Sequence, residues 1–205
     1  MLPDGLPQQV TSYIGGHWLP AGAGERLPVI YPASGATIAT LDEANAEEVA
    51  RAVANARATF ESGIWSRASV TARKRVLHQI GELILDHRQL LAEHEVAHTG
   101  APIAQALGRH VPRAAMNFEF FAEYISQAAN PVFDQNPDYL TFVRRDPAGV
   151  AGLIAPWNAP LALATMKVAG AIAFGNSCVL KPSELTPLSF VPLMDLFAEA
   201  GLPPG

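Results

Sequence analysis

The sequence predicts an α/β protein: an open parallel sheet with flanking helices, preceded by short strands and amphipathic helices. Two stretches carry that prediction. From Gly149 the chain reads "GVAGLIA", "PLALATMKVAGAIAFG", "NSCVLKP" and "TPLSFVPLMDLFAEAG". Strand, helix, strand, helix at that spacing is a βαβα unit, whose strands run parallel. Upstream, residues 1–40 are rich in Gly, Pro and β-branched residues, and a helical apolar period then takes over.

In order along the chain, "SYIGGHWLP" and "LPVIYPASGATIATL" read as short strands, with turns at Gly15-Gly16 and Ser34-Gly35. Asn45, three residues before Glu48, is placed to cap a first helix whose apolar stripe is Val49, Val53, Ala56 and Phe60. A second helix, from about Thr71, carries Val76, Leu77, Ile80, Leu83 and Ile84. A third runs from about His87 through Leu90, Leu91 and His94 to Gly100, which suits a left-handed cap. A fourth, after Pro112, shows Ala115, Phe118, Phe121, Ala122 and Ile125 at helical spacing. "NPVFDQNPDYLTFVRRDP" (130–147) then reads as two strands about an Asn-Pro-Asp turn.

The continuous apolar runs "GVAGLIA" and "NSCVLKP" predict strands buried on both faces. In the last helix Thr186 is expected as N-cap, Pro187 at the first helical position and Gly201 just past the end. Pro192 should kink it, since an interior proline removes a backbone hydrogen bond at about 3 kcal/mol. "GLPPG" follows at once, where an open parallel sheet calls for another strand, so the sheet is expected to be incomplete.

Composition narrows the function. With 49% hydrophobic and 16% charged residues the chain is neither disordered nor a solvated tail. A net charge of −5 gives no basic footprint for nucleic acid. One cysteine, Cys178, rules out an intramolecular disulfide and fits a cytoplasmic location. "MLPDGLPQQVTSYIGG" has neither a basic nor an apolar signal segment, so no signal peptide is expected. The longest apolar run is interrupted by Lys167 and falls short of the ~20 residues of a membrane span.

Chemistry concentrates at "IAPWNAPL" and "KPSE", at the ends of the two parallel strands, where open α/β sheets bind ligands. The Asn158 amide could donate to a developing oxyanion. Lys181 and Glu184 offer a cation and an acceptor for the hydroxyls of a ribose.

Those two blocks, at this separation, resemble the aldehyde dehydrogenase superfamily. "GLIAPWNAPLALATMKVAGAIAFGNSCVLKPSELTPLSF" is similar to its P-W-N…K-P-S-E segment almost throughout. "RRDPAGV", "ARKRVLHQIGELI", "YPASG", "YIGGHW" and "EAGLPPG" extend the likeness over about residues 13–205. "NFEFFAEYI" is similar to the branch that handles semialdehydes. The resemblance implies an incomplete aldehyde dehydrogenase fold, with a Rossmann-like sheet lacking G-x-G-x-x-G and a protruding β-hairpin. Residues 1–129 would begin the cofactor-binding domain, 130–147 form an oligomerisation hairpin, and 148–205 begin the NAD-binding unit. It also implies Asn158 as oxyanion donor, Ile154, Ala155, Pro156 and Trp157 lining the cofactor, and Lys181, Ser183 and Glu184 at the adenosine ribose. For Lys167 it implies a place near the active site; as a helix lysine, it could equally snorkel to solvent. The cofactor implied is NAD, with NADP possible. The substrate is a small aldehyde, and the complete enzyme a homodimer or homotetramer.

Two departures stand out. The family's nucleophilic Cys and general-base Glu lie beyond the K-P-S-E block, outside this chain, and Cys178 falls inside a strand as an inert thiol. An inactive, nucleotide-binding or assembling remnant is therefore the alternative. Second, His98 stands where the family has an acidic residue before Thr-Gly, at a position some members use for a monovalent cation. His94-Glu95-His98 also matches H-E-x-x-H, the pattern of a zinc hydrolase, which would need a third ligand such as Glu119, Glu123 or His110. The family's E-x-x-D-T-G helix end accounts for the same residues, so the histidines are expected on a helix face with no metal.

Overall fold

The computed structural model describes residues 5–22 and 24–205. Its first strands are β1 (Gln9–Val10), β2 (Tyr13–Ile14), β3 (His17–Trp18), β4 (Arg26–Tyr31) and β5 (Ala36–Asp42). β5 sits between β1, which it pairs in parallel, and β4, which it pairs antiparallel. β2 and β3 form a tight hairpin in which Gly15 and Gly16 take φ of 63° and 86°. Two consecutive positive φ angles are what a two-residue hairpin turn requires, and glycine adopts them without strain.

The helices α1 (Ala46–Ser62), α2 (Val70–Asp86) and α3 (Arg88–Thr99) follow. Asn45 caps α1 by accepting the Glu48 N–H at 2.9 Å, and Ser69 caps α2 by accepting that of Ala72 at 3.1 Å. Gly100 ends α3 at φ 71°. The stripe on α1 is only partly used: Ala56 is buried and Phe60 half-buried, but Val49 and Val53 are 48% and 44% exposed. The fourth helical region starts well before Pro112. A short α4 (Ile103–Gln105) runs through a π-turn (Ala106–His110) into α5 (Val111–Tyr124). Pro112 is accommodated within the first turn of α5.

β6 (Val132–Asn136) and β7 (Tyr139–Phe142) form the antiparallel hairpin about Pro137, and its apolar side chains are exposed. The parallel unit is β8 (Val150–Ile154), α6 (Pro160–Ala173), β9 (Ser177–Lys181) and α7 (Phe190–Glu199). Here two expectations fail. β8 and β9 are mostly half-buried, with Ile154 70% exposed, because among the described residues the sheet has two strands, so each has an unpaired edge although α1 and α6 pack against both. And α7 starts at Phe190: Thr186 and Pro187 lie in the preceding turns, and Ser189 holds the cap position. Pro192 thereby falls in the first turn, where the N–H it lacks would have had no partner within the helix, so the reason for a kink disappears.

The main core unites α2, α5, α6 and α7 around Leu77, Ile80, Ile84, Phe118, Leu161 and Leu193, all inaccessible to solvent. Each such side chain contributes about 1.5–3 kcal/mol by leaving water. Phe118 meets Phe197 edge-to-face at 5.6 Å, and Trp65 donates from its indole to the Ile172 carbonyl at 2.8 Å. A second cluster, Val10, Val29, Ala39, Ala97 and Leu188, fastens the first sheet to α3. No helix among the described residues is long and apolar enough to cross a membrane.

Candidate functional site

The parallel register sets the site. Ile154 pairs with Lys181, so β8 and β9 end side by side. The Ala155 N–H extends the ladder by donating to the Lys181 carbonyl at 3.0 Å. The loops holding Pro156, Trp157 and Asn158 and holding Ser183 and Glu184 therefore leave the sheet together. Ile154 and Trp157 are 70% and 59% exposed, giving an apolar platform, whereas Ala155 is buried with its amide already spent. Asn158 is exposed at its loop tip.

On the second loop, Lys181 Nζ lies 3.3 Å from Glu184 Oε2. Ser183 is buried, donates to the same oxygen at 3.4 Å and accepts the Leu185 N–H at 3.3 Å, so it shapes the loop from within. The Glu184 backbone and the Lys181 ammonium hold the Glu184 carboxyl below its ordinary value. Lys167 reaches back from α6 to donate to the Ile154 carbonyl, which places its ammonium at the strand end. All nine residues singled out in the sequence thus fall on the two loops, the strand ends, or the helix side chain that reaches them. Two shallow concavities of about 380 Å³ lie elsewhere, one on the hairpin and one beside Arg109 and Arg113.

Beneath the loops lies a group that the sequence reading did not assign to this site. His94, Glu95 and His98 lie on a buried face of α3. Glu95 Oε1 accepts the Leu161 N–H at 3.4 Å, and Oε2 accepts the Ser189 hydroxyl at 2.9 Å. His110 Nδ1 and His98 Nε2 stand 3.3 and 3.5 Å from the same carboxylate, with no nearer polar partner. His98 Nδ1 accepts the Leu188 N–H at 2.9 Å, so the neutral ring carries its proton on Nε2, facing Glu95. His94 Nδ1 instead meets the Leu90 carbonyl at 2.9 Å. With one His98 nitrogen spent on an amide and the other protonated, the H-E-x-x-H residues do not present the two lone pairs a zinc ion needs. Burial raises the Glu95 carboxyl, but His110, His98 and Ser189 outweigh it and leave it below its ordinary value. Burial lowers His98. A second buried polar residue, Asn117 on α5, donates to the Ala162 carbonyl at 2.8 Å and to Thr165 Oγ1 at 3.0 Å, fixing α6 from its other side. The signal for it is an amide interrupting the apolar stripe between Ala115 and Phe118.

Comparison with known proteins gives one direction. The sequence profile of the Aldehyde dehydrogenase family matches residues 18–205. Betaine aldehyde dehydrogenase 1 of Oryza sativa subsp. japonica is 40% identical over 99% of this chain and 41% of its own length. The NADP/NAD-dependent aldehyde dehydrogenase PuuC of Escherichia coli (strain K12) is 37% identical over 94% of this chain and 39% of its own. The NAD+ complex of an aldehyde dehydrogenase from Bacillus cereus superposes with a TM-score of 0.91 at 34% identity, covering 96% of this chain and 40% of that one. The chain spans about two fifths of the length of these relatives.

Proposed function

Because the chain belongs to the aldehyde dehydrogenase family, we propose that it supplies part of the cofactor site and the oxyanion donor of an NAD(P)-dependent enzyme oxidising a small aldehyde to a carboxylic acid. The observation that carries this reading is the Ile154–Lys181 pairing, which brings the P-W-N and K-P-S-E loops out of the sheet together. A dinucleotide fits the residues present: an ionised Glu184 beside Lys181 for ribose hydroxyls, Ser183 shaping their loop, and exposed Ile154 and Trp157, followed by Pro156, for apolar ring surface. When bound, the nicotinamide accepts the hydride that leaves the aldehyde carbon.

This chain's own contribution is to orient and to stabilise charge. Asn158 donates its amide N–H to the oxyanion formed when a thiolate adds to the aldehyde. Such a donor is worth about 3–4 kcal/mol when it acts chiefly in the transition state. Lys167 holds the Ile154 carbonyl and so fixes the start of that loop. The thiolate and the base that releases the product thioester come from outside these residues. Cys178, the chain's single thiol, lies within β9, and burial pushes it up to about 11.

Residues 1–129 and 148–205 belong to the cofactor-binding part in this reading, and 130–147 to subunit assembly as a homodimer or homotetramer. The exposed apolar hairpin supports that division. A cytoplasmic location fits a lone, reduced cysteine. The test is Asn158→Ala in the full-length protein. Acylation should slow by about 10²–10³ while cofactor affinity stays near wild type. Equal losses in both would make Asn158 a structural residue and refute the assignment.

A further inference from the structure

Among the described residues, Glu95 is the buried group with most to explain: a wholly inaccessible carboxylate with no lysine or arginine against it. Its contacts reach two separate helix starts. α6 begins at Pro160 with no side-chain cap, because Ala159 holds the cap position, and Pro160 has no N–H to satisfy. The Leu161 N–H, one of the donors a helix start leaves without an internal partner, goes to Glu95 Oε1 from a helix 66 residues earlier. A carboxylate at that point also meets the positive end of the α6 dipole. The other oxygen takes the Ser189 hydroxyl at the cap position of α7, which likewise lacks a side-chain cap of its own. One turn along α3, His98 takes the neighbouring Leu188 N–H. Asn158 stands three residues before Leu161, and Glu184 five residues before Ser189.

We infer that Glu95 is a positioning residue: its carboxylate ties the first turn of α6, and with it the Asn158 loop, to the start of α7, and with it the Lys181–Glu184 loop. One buried side chain thereby sets the spacing between the oxyanion donor and the ribose-binding pair. Ser189 donates to it, and the His110 ring stands beside it with Nδ1 at 3.3 Å. His98 fixes the α7 side through its neutral tautomer. The catalytic part of this inference rests on the function proposed above; the clamp rests on the contacts alone.

Hydrogen exchange in the full-length protein separates the two. In Glu95→Gln, an amide N–H₂ faces donors that had met a carboxylate oxygen. Segments 157–165 and 183–192 should then exchange faster together by about tenfold, the effect of leaving a buried donor unmatched, with α2 and α5 unchanged. Ser189→Ala, the milder variant, should loosen only 183–192 and raise KM for NAD with kcat retained. Glu95→Gln should lower kcat in the wild-type background and add nothing in Asn158→Ala, because the loss passes through Asn158. Exchange rising evenly through α2, α3 and α5, or failing to rise in either segment, would overturn the clamp. A full additional kcat loss in Asn158→Ala would overturn its catalytic part. If Asn158→Ala alone leaves kcat intact, the oxyanion assignment fails, and the paired exchange change still upholds the clamp.

Discussion

At the scale of single residues, the proposed ribose site makes cofactor choice a matter of charge. Glu184 is exposed, and its own backbone and Lys181 hold its carboxyl below the ordinary value, so it is ionised at neutral pH. A 2′-phosphate brings about −2 charge toward that carboxylate, which Lys181 at 3.3 Å offsets only in part. The enzyme should therefore prefer NAD, and Glu184→Gln should shift the kcat/KM ratio toward NADP; an unmoved ratio would remove Glu184 from the ribose. The buried histidines predict a pH dependence of a different kind. Burial lowers both His94 and His98 below their ordinary value near 6.5, so the unfolded chain takes up protons before the folded one does. Where the unfolded state binds more protons, stability rises with pH. Stability should accordingly fall as pH drops from about 6.5 through the depressed folded values. The lowered Glu95 carboxyl adds a further loss in more acidic solution. Denaturant midpoints between about pH 7.5 and 5 should show this, and His98→Asn, which keeps an acceptor for the Leu188 N–H, should flatten the slope.

Among the elements, local signals were readable wherever the determinant is local. Asn45 and Gly100 end their helices as their chemistry requires, and the Gly15-Gly16 turn follows from two positive φ angles. What the sequence concealed is tertiary. Thr186 looks like an N-cap, but α7 is started from outside, by His98 and Glu95, three residues later. Glu95 itself reads as the middle of a metal motif because the Leu161 and Ser189 groups that donate to it, and the His110 ring beside it, come from other elements, and only His98 shares its helix. The P-W-N and K-P-S-E loops were legible as motifs, whereas the cluster under them becomes visible only once α3, α6 and α7 are packed. The β6–β7 hairpin makes a prediction at this scale. Tyr139, Leu140 and Phe142 are 65%, 64% and 66% exposed, an apolar strand surface that invites pairing with another chain. Leu140→Lys in the full-length protein should weaken subunit assembly in sedimentation experiments while leaving the helical core's thermal transition in place. An unchanged oligomer would exclude the hairpin from the interface.

For the whole molecule, the distribution of packing explains what these residues can do. α2, α5, α6 and α7 close a continuous core, and the first sheet is fastened to it through Ala97 and Leu188, so the parts that position the two loops support one another. The parallel sheet is another matter. β8 and β9 remain half-buried, and the Ile154 and Trp157 platform is open. In the proposed reading the fold thus holds Asn158 as oxyanion donor and Lys181 with Glu184 as ribose-binding pair, without itself supplying a reactive nucleophile. Its one thiol is Cys178, which burial pushes up to about 11, so at neutral pH only about one part in 10⁴ is thiolate. Covalent oxidation needs a thiolate to attack the aldehyde before hydride can leave. Residues 1–205 prepared alone should therefore show no NAD reduction with propanal. Cys178→Ser should leave the activity of the full-length enzyme nearly intact. Turnover by residues 1–205, abolished by Cys178→Ser, would make Cys178 the nucleophile and overturn the proposed reading.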